Sequence, residues 1–161
     1  MKRLSVPVAV GSLESFHSDT LFDLVIMIQV LAHFVDPRAA LKVADSITQP
    51  GGFWLVETWN RESLTARLFG KYWHEYSPPS VLHWFSSGGV SKLASEFGFR
   101  ELGHGRPNEW ISGRHAKSLI HQRFENSHLN LPITSLMRLL PDRVNLPYPA
   151  EDLFWMVFQK A

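Results

Sequence analysis

Side chains that could bind a ligand or remove a proton follow the most apolar run of the chain. Gln29 comes directly after Leu24–Ile28, and His33 lies a little further on. The imidazole of histidine can take a proton from an oxygen or nitrogen nucleophile near neutral pH. Three further groups could act as such a base: His74, His83 and Glu57. Residue type alone does not rank these bases, and a structural role also explains each of them.

Aromatic side chains that could cover a substrate are concentrated in residues 71–79, which read Lys-Tyr-Trp-His-Glu-Tyr-Ser-Pro-Pro. Because two adjacent prolines restrict the backbone, we expect this segment to be an ordered loop. Tyr72, Trp73 and Tyr76 could form a lid over a flat or apolar substrate. The simpler alternative is that these rings pack in the core.

Residue type and spacing argue against two other kinds of site. The chain has 8 His and no Cys, so it has no thiolate ligand for a metal and no disulfide framework. No pair of histidines has metal-ligand spacing on one helix face, since even His115 and His121 fall on different faces. A Gly-x-Ser-x-Gly nucleophile elbow is also absent from the sequence. We therefore expect neither a metal site nor a serine hydrolase.

The composition is typical of an ordinary globular protein. Of 161 residues, 45% are hydrophobic and 19% are charged, which is enough for one domain with a packed core. The formal net charge of +1 gives no reason to expect nucleic acid as a partner. No apolar run approaches the roughly 20 residues that a membrane-spanning helix needs, and we find no signal-peptide pattern. We expect a single domain over residues 1–161, located in the cytoplasm.

A strand, a helix and a second strand must position the polar groups described first. Leu24–Ile28 is continuously apolar, as in a strand that is covered on both faces of a parallel sheet. Asp36-Pro37 provides a cap and a first-position proline for a helix, which the Pro-Gly-Gly sequence at 50–52 ends. Phe53–Val56 starts the next strand, so the three elements form a right-handed βαβ unit. Ligands of open α/β sheets bind at the carboxyl ends of such strands.

Further elements on both sides of this unit complete an α/β chain. The proline in Val6–Val10 predicts a strand at the sheet edge, because proline cannot donate a ladder hydrogen bond. Ser86 or Ser87 is the predicted cap of a later helix. Two more strands are predicted at Phe99–Gly103 and Leu153–Phe158.

Several short segments occur in a characteristic order: Phe22-Asp23-Leu24-Val25, Val30-Leu31-x-His33, Asp36-Pro37, Pro50-Gly51-Gly52, the Trp73 loop, Phe85-Ser86 and Phe97-Gly98-Phe99. Together they resemble the carboxyl-terminal two-thirds of a class I S-adenosylmethionine-dependent methyltransferase, and in particular the ubiquinone-type small-molecule group. The resemblance implies a doubly wound, Rossmann-like, mostly parallel sheet with an antiparallel last strand. It also implies methyl transfer from S-adenosylmethionine to an oxygen, carbon or nitrogen of a small-molecule acceptor. The strands would be the third (Val6–Val10), fourth (Leu24–Ile28), fifth (Phe53–Val56), sixth (Phe99–Gly103) and last (Leu153–Phe158), the last being inserted beside the fifth.

The same resemblance implies where cofactor and substrate lie. Ser12 and Leu13 would lie against the adenine, and Ile28 and Gln29 would face the methionine part of the cofactor. His33 would lie near both cofactor and substrate and is the candidate catalytic residue. Without the family, Ser12 and Leu13 are simply residues of a loop, and His33 is a hydrogen-bonded structural histidine.

The half of the family's sheet that holds most of the cofactor is missing from this sequence. The family's first strand ends in a Gly-rich loop that approaches the cofactor closely, and an acidic residue after its second strand holds the ribose. Neither feature precedes Val6, and Ala32 replaces the family's Glu before His33. The resemblance therefore implies an N-terminally truncated domain. The chain would then be a fragment of an enzyme, a subunit completed by a partner, or a remnant without activity. The edge at Val6–Val10 predicts pairing with a second copy or a partner chain.

Overall fold

The computed structural model describes residues 7–107, 109–114, 117–118, 141–143, 145–148 and 151–161. They divide into two compact units, of which the first ends at Arg106 and resumes with Glu151–Ala161, and the second comprises Pro107–Ala150. The first unit holds β1 (Phe22–Ile28), α1 (Pro37–Ser46), β2 (Thr48–Trp59), α2 (Leu64–Phe69), α3 (Ser87–Ser95) and β3 (Phe99–Gly105). The second unit holds β4 (Glu109–Ser112) and β5 (Asn145–Tyr148), after which β6 (Leu153–Lys160) belongs to the first unit again.

Four strands of the first unit form one sheet in the order β1-β2-β6-β3. β1 runs parallel to β2, whereas β6 is antiparallel to both of its neighbours. The predicted α/β class and the antiparallel last strand are therefore confirmed. β2 is longer than the predicted strand, because it already pairs with β1 at Thr48, which lies opposite Phe22. The register then shifts, so that the next paired residues are Leu24 and Phe53.

Local capping sets the start of the two longest helices of the first unit. The Asp36 carboxylate accepts hydrogen bonds from the backbone N–H groups of Arg38 at 3.0 Å and Ala39 at 3.1 Å. The hydroxyl of Ser86 likewise accepts from the backbone N–H of Gly89 at 3.2 Å. Both predicted helix starts are confirmed, since each depends on residues within one turn of the cap.

α1 and α3 pack on one face of the sheet, where the hydrophobic core lies. Trp54 of β2 is fully buried, and its ring stacks on Phe99 of β3 with centroids 3.6 Å apart. The Trp54 indole N–H donates to the hydroxyl of Thr48 at 2.9 Å, and that hydroxyl donates to the Ala44 carbonyl at 2.6 Å. Other buried side chains complete the core: Met27, Leu41, Val56, Val90, Leu93, Phe154, Met156 and Phe158.

The opposite side of the sheet, which we name the open face, is left uncovered by α1 and α3. Successive residues of a strand point to opposite sides, so its side chains alternate with those of the core. In β1, Leu24, Ile26 and Ile28 are 47%, 55% and 43% exposed, whereas Met27 is buried. The neighbouring strands contribute half-buried apolar side chains to the open face: Phe53, Leu55, Trp155 and Val157.

The predicted strand Val6–Val10 is wrong where the structure describes it. Residues 7–10 form no strand, and Val8 and Val10 are 84% and 100% exposed. Val6 lies outside the described residues. In the doubly wound order 3-2-1-4-5-6 a third strand pairs with the second and not with the fourth, and within the described residues no strand precedes β1. The edge of the sheet that lies free on this side is therefore β1.

The second unit is described mainly by its two strands. β4 and β5 pair antiparallel, from Glu109 opposite Tyr148 to Ser112 opposite Asn145. Beside them in sequence, the Lys117 ammonium lies 2.8 Å from a carboxylate oxygen of an exposed aspartate, Asp142. Such exposed ion pairs add little to stability.

Candidate functional site

A strained residue follows the edge strand β1. Gln29 follows Ile28, the last residue of β1, and has a φ of 54°, a conformation that residues other than glycine seldom adopt and that costs on the order of 1–3 kcal/mol. Its backbone N–H donates to the Glu57 carbonyl at 2.8 Å, and its side-chain amide donates to the Glu57 carboxylate at 3.3 Å. Gln29 thus lies with Glu57 at the carboxyl ends of β1 and β2, where α/β sheets bind ligands.

His33 has a defined orientation near this edge. It ends a 3₁₀ turn, Leu31–His33, and its Nδ1 lies 2.6 Å from the Ser80 carbonyl oxygen. Since a carbonyl oxygen only accepts hydrogen bonds, Nδ1 must carry the proton, and Nε2 of the neutral ring is the atom that can accept one. This arrangement suits a base. His83, a second candidate, has a buried Nε2 without a hydrogen-bond partner in the described structure, so that atom cannot reach a substrate.

A buried aspartate organises the third part of the site. Asp152 is 3% exposed, and one of its carboxylate oxygens accepts a hydrogen bond from the Trp73 indole at 2.9 Å. The same oxygen lies 3.7 Å from Nδ1 of His74. The ring of His74 meets Trp59 edge-on, with centroids 4.7 Å apart. Because Asp152 precedes β6 and Trp59 ends β2, this cluster lies at the same edge of the sheet as Gln29.

Burial changes the acidity of a carboxyl group in this cluster. Glu75 lies 3.5 Å from Nε2 of His74 and keeps 18% of its side chain exposed. Burial raises the pKa of the Glu75 carboxyl above its ordinary value. The negative charge of Asp152 adds to the rise, and the positive charge that His33 has when it is protonated opposes it. Carboxyl groups with a raised pKa are frequent at functional sites.

We expect the substitution Glu75→Gln to change how stability depends on pH. Because the folded pKa is raised, the folded chain binds more protons than the unfolded chain above the ordinary pKa of 4.5, and the free energy of unfolding falls as pH rises through that window. Because Gln carries no charge, the variant should not lose stability in this way. Its free energy of unfolding should therefore rise relative to that of the wild type as pH rises. Denaturant unfolding across mildly acidic pH measures the difference.

Glu96→Gln is the matched control for this experiment. The hydrogen bond from Arg38 lowers the pKa of Glu96, so the effect on stability has the opposite sign. The free energy of unfolding of this variant should fall relative to that of the wild type as pH rises. If the free energy of unfolding changed equally with pH in Glu75→Gln and in the wild type, this would contradict a raised pKa of Glu75.

The three residues of the predicted lid occupy different environments. Tyr72 and Tyr76 are 74% and 50% exposed, whereas Trp73 is only 4% exposed. Tyr76 stacks on Trp84 with ring centroids 4.9 Å apart. The Trp84 indole in turn donates to the Glu75 carbonyl at 2.8 Å. Trp73 therefore anchors the loop in the interior, and the two tyrosines are the ones available to a ligand.

The predicted adenine-side residues lie in a 3₁₀ turn, Leu13–Ser15, and its cap. Leu13 packs against the core, and the exposed Ser12 hydroxyl donates to the Glu14 carboxylate. That carboxylate also accepts from the Val35 backbone N–H at 3.2 Å, which ties the turn to the start of α1. A concavity of about 490 Å³ is lined by Ala9, Val10, Gly11, Ser12, Leu13, Ser15, Phe16, His17 and Ile47. Ser12 and Leu13 thus share a cavity that does not include Ile28, Gln29 or His33.

Sequence reasoning did not single out Asp152 or Glu75. The only local signal for Asp152 is a charged residue directly before an apolar strand. Among the described residues, no group of three or more His, Asp or Glu is placed to hold a metal ion. In the same part of the chain, no helix has the length and apolar character needed to cross a bilayer.

Comparison with known proteins concerns the family and the fold of the chain. A family model described as a methyltransferase domain matches residues 8–102. The fold is similar to an S-adenosylmethionine-dependent methyltransferase from Thermotoga maritima, with 20% identity, 94% of this chain and 62% of that chain covered, and a TM-score of 0.57. It is also similar to the N-methyltransferase NodS from Bradyrhizobium japonicum WM9 in complex with S-adenosyl-L-homocysteine, with 15% identity, coverages of 94% and 53%, and a TM-score of 0.51.

A third similar structure is the magnesium protoporphyrin IX methyltransferase ChlM from Synechocystis PCC 6803, with 12% identity, coverages of 94% and 49%, and a TM-score of 0.52. No curated protein sequence matches the chain. The chain spans between about half and two thirds of the length of these three structures. At such identities the likeness concerns the fold.

Proposed function

Because this chain belongs to the methyltransferase domain family, we propose that it takes part in transferring a methyl group from S-adenosylmethionine to a small-molecule acceptor. The observation that carries the proposal is the strained Gln29, joined to Glu57 at the carboxyl edge of the sheet. Backbone strain of this kind persists only where the surrounding structure holds the residue in place, and strained residues cluster at active sites and ligand clamps. The proposal covers methylation of oxygen, nitrogen or carbon, since no residue pattern in the chain selects among them.

The residues present fit one wall of a site for this cofactor. When bound, S-adenosylmethionine supplies a methyl group on a positively charged sulfur. The half-buried Glu57 carboxylate and the Gln29 amide are suited to the cationic and amino-acid end of such a molecule. Ser12 and Leu13 border a cavity that suits an adenine ring. The described residues contain no Gly-rich loop before β1, so they supply only this one wall.

The chain's own residues would orient the acceptor and receive its proton. His33 offers Nε2 as the proton acceptor because Nδ1 is held by the Ser80 carbonyl. Tyr72 and Tyr76 are exposed on the loop beside it and can cover an apolar acceptor. Trp73, locked to Asp152, keeps this loop in place.

We propose that residues 1–161 act as one partial methyltransferase domain. The second unit is an insertion between β3 and β6, and these two strands pair with each other within the sheet of the first unit. A location in the cytoplasm is part of the proposal. The alternative function is that of a non-catalytic remnant or partner subunit, and the exposed apolar side chains of β1 favour the subunit form of it.

Calorimetric titration with S-adenosylmethionine tests the function. We expect the chain to bind the cofactor and the substitution Gln29→Ala to weaken binding by about tenfold, the worth of one or two hydrogen bonds. Gln49→Ala is the matched control, because Gln49 lies at the other end of β2 and its amide contacts Asp23. Absence of binding to the wild-type chain at millimolar cofactor would overturn the proposal for this chain alone.

A further inference from the structure

α2 and the turn that follows it present apolar side chains to solvent. α2 covers Leu64–Phe69 and continues into a 3₁₀ turn at Gly70–Tyr72. Leu64 and Leu68 are about one helical turn apart and therefore share one side of the helix, where they are 64% and 72% exposed. Ala66 lies on the opposite side of the helix and is buried. The helix thus packs on the protein through a small residue, and its large apolar side chains face solvent.

Two aromatic residues extend this apolar surface. Phe69 and Tyr72 are 44% and 74% exposed, so large apolar or aromatic side chains are grouped along residues 64–72. Exposed apolar side chains that are scattered singly are normal on a protein, whereas grouped ones mark an interaction site.

Both ends of this element are fixed by hydrogen bonds, so its apolar side belongs to an ordered structure. The Glu151 carboxylate accepts from the backbone N–H groups of Leu64 at 3.1 Å and Thr65 at 2.5 Å. At the other end, the indole of the buried Trp73 donates to Asp152 at 2.9 Å. The fold therefore holds these apolar side chains at the surface instead of burying them.

Basic side chains lie among the apolar ones. Arg61, Arg67 and Lys71 are exposed, and Glu62 is the one acidic residue in the sequence 61–72. Three positive charges and one negative charge give this segment a formal net charge of +2, whereas the whole chain carries +1. The Lys71 ammonium lies 5.1 Å from the centroid of the Tyr72 ring. Exposed leucine and aromatic side chains together with lysine and arginine are typical of elements that lie at the surface of an anionic bilayer.

A protein partner fits this surface less well than a bilayer does. In a symmetric dimer, the same patch of both copies would meet, and Arg67 and Lys71 would face like charges. A stable protein interface also needs about 20–30 residues on each side, which is far more than this element offers. Anionic headgroups complement the positive charges, and the boundary between headgroups and acyl chains accepts the leucines.

We propose that residues 61–72, which we name the docking segment, bind the protein to the surface of a bilayer that contains anionic lipids. The side chains of Leu64 and Leu68 enter the boundary between headgroups and acyl chains, while those of Arg67 and Lys71 contact lipid phosphates. The segment lies on the bilayer and does not cross it, since α2 has only 6 residues. The interaction does not need S-adenosylmethionine and is separate from the proposed methyl transfer.

Flotation of the full 161-residue chain with lipid vesicles tests the proposal. One set of vesicles contains phosphatidylcholine and phosphatidylserine in equal amounts, and the other contains phosphatidylcholine alone. We expect binding to the anionic vesicles and at least about tenfold weaker binding to the neutral ones, because each basic side chain adds attraction to an anionic surface. Added salt should weaken binding to the anionic vesicles. Inorganic phosphate at constant ionic strength should leave it unchanged, because the docking segment binds a lipid surface and not a free anion.

Two variants separate the apolar contribution from the basic one. Leu68→Gln should weaken binding at least about tenfold, because it removes an apolar side chain that leaves water. It should leave the melting temperature unchanged, because Leu68 is exposed. Lys71→Gln should weaken binding about fivefold. The matched controls are Ile26→Gln, on the open face and 55% exposed, and Lys92→Gln, at an exposed position of α3. Both controls should bind the vesicles as the wild type does.

Several results would overturn the proposal. They are absence of binding to the anionic vesicles, equal binding to anionic and neutral vesicles, an equal effect of Leu68→Gln and Ile26→Gln, and an equal effect of Lys71→Gln and Lys92→Gln. A dimer in light scattering that Leu68→Gln converts to a monomer would also overturn it, because the second copy would then be the occupant. All measurements are made without S-adenosylmethionine, so failure of the docking and failure of the proposed reaction are distinguished.

Discussion

Replacing Trp54 with alanine is expected to lower the free energy of unfolding by about 3–5 kcal/mol, the range for deleting a large aromatic side chain from a core. Trp54 has no exposed surface, stacks on Phe99 at 3.6 Å and donates to the Thr48 hydroxyl at 2.9 Å. The substitution removes the ring that joins β2 to β3 and leaves a cavity under α1 and α3. Since whole domains are stable by only about 5–15 kcal/mol, the effect is large.

Denaturant unfolding of the wild type, Trp54→Ala and Trp54→Phe measures this prediction. Phenylalanine keeps most of the stacking area and loses the indole hydrogen bond, so we expect a smaller loss of about 1–2 kcal/mol. The difference between the stability losses of the two variants separates the contribution of ring packing from that of the indole hydrogen bond. A Trp54→Ala protein within about 1 kcal/mol of the wild type would show that this face of the sheet is not the core.

The second large effect is expected at Asp152. The substitution Asp152→Ala removes the buried acceptor of the Trp73 indole and leaves that N–H unsatisfied, at a cost of about 1–3 kcal/mol. The loop that carries Tyr76 should then exchange its amides faster, because Trp73 no longer anchors it. Asp152→Asn keeps one carbonyl oxygen as acceptor and should recover part of the loss.

Asp142→Ala is the matched control for Asp152. The Asp142 side chain is 47% exposed and pairs with Lys117, so we expect its loss to change stability by no more than about 1 kcal/mol. Amide hydrogen exchange in the loop and denaturant unfolding are measured for both Asp152→Ala and Asp142→Ala. Unchanged exchange near Trp73 in Asp152→Ala would show that the loop is held by other contacts.

Features that depend on neighbours in sequence could be predicted from the sequence. The start of α1 follows from Asp36 and Pro37, whose effect reaches only one turn. The start of α3 at Ser86 has the same local origin. The position of β6 beside β2, in contrast, was expected from the family resemblance, because pairing partners of a strand are not encoded locally.

Features that depend on distant partners could not be predicted. Residues 7–10 have the composition of a strand, but a strand exists only with a neighbour, and no described residue pairs with them. Trp73 was expected in a lid, and its burial follows from a hydrogen bond to Asp152 far along the chain. The polar end of β1 at Gln29 was visible in the sequence, whereas its positive φ was not.

The central place of β6 has a consequence for how the chain is made. β2 and β3 do not pair with each other; each pairs with β6, which is synthesised after both of them and after the second unit. Until Leu153–Lys160 has left the ribosome, the sheet is split into a β1–β2 pair and a lone β3. The buried side of β2, including Trp54, then lacks the strand that flanks it, and unpaired edges of this kind promote aggregation. The nascent chain is therefore most vulnerable just before its last strand is complete.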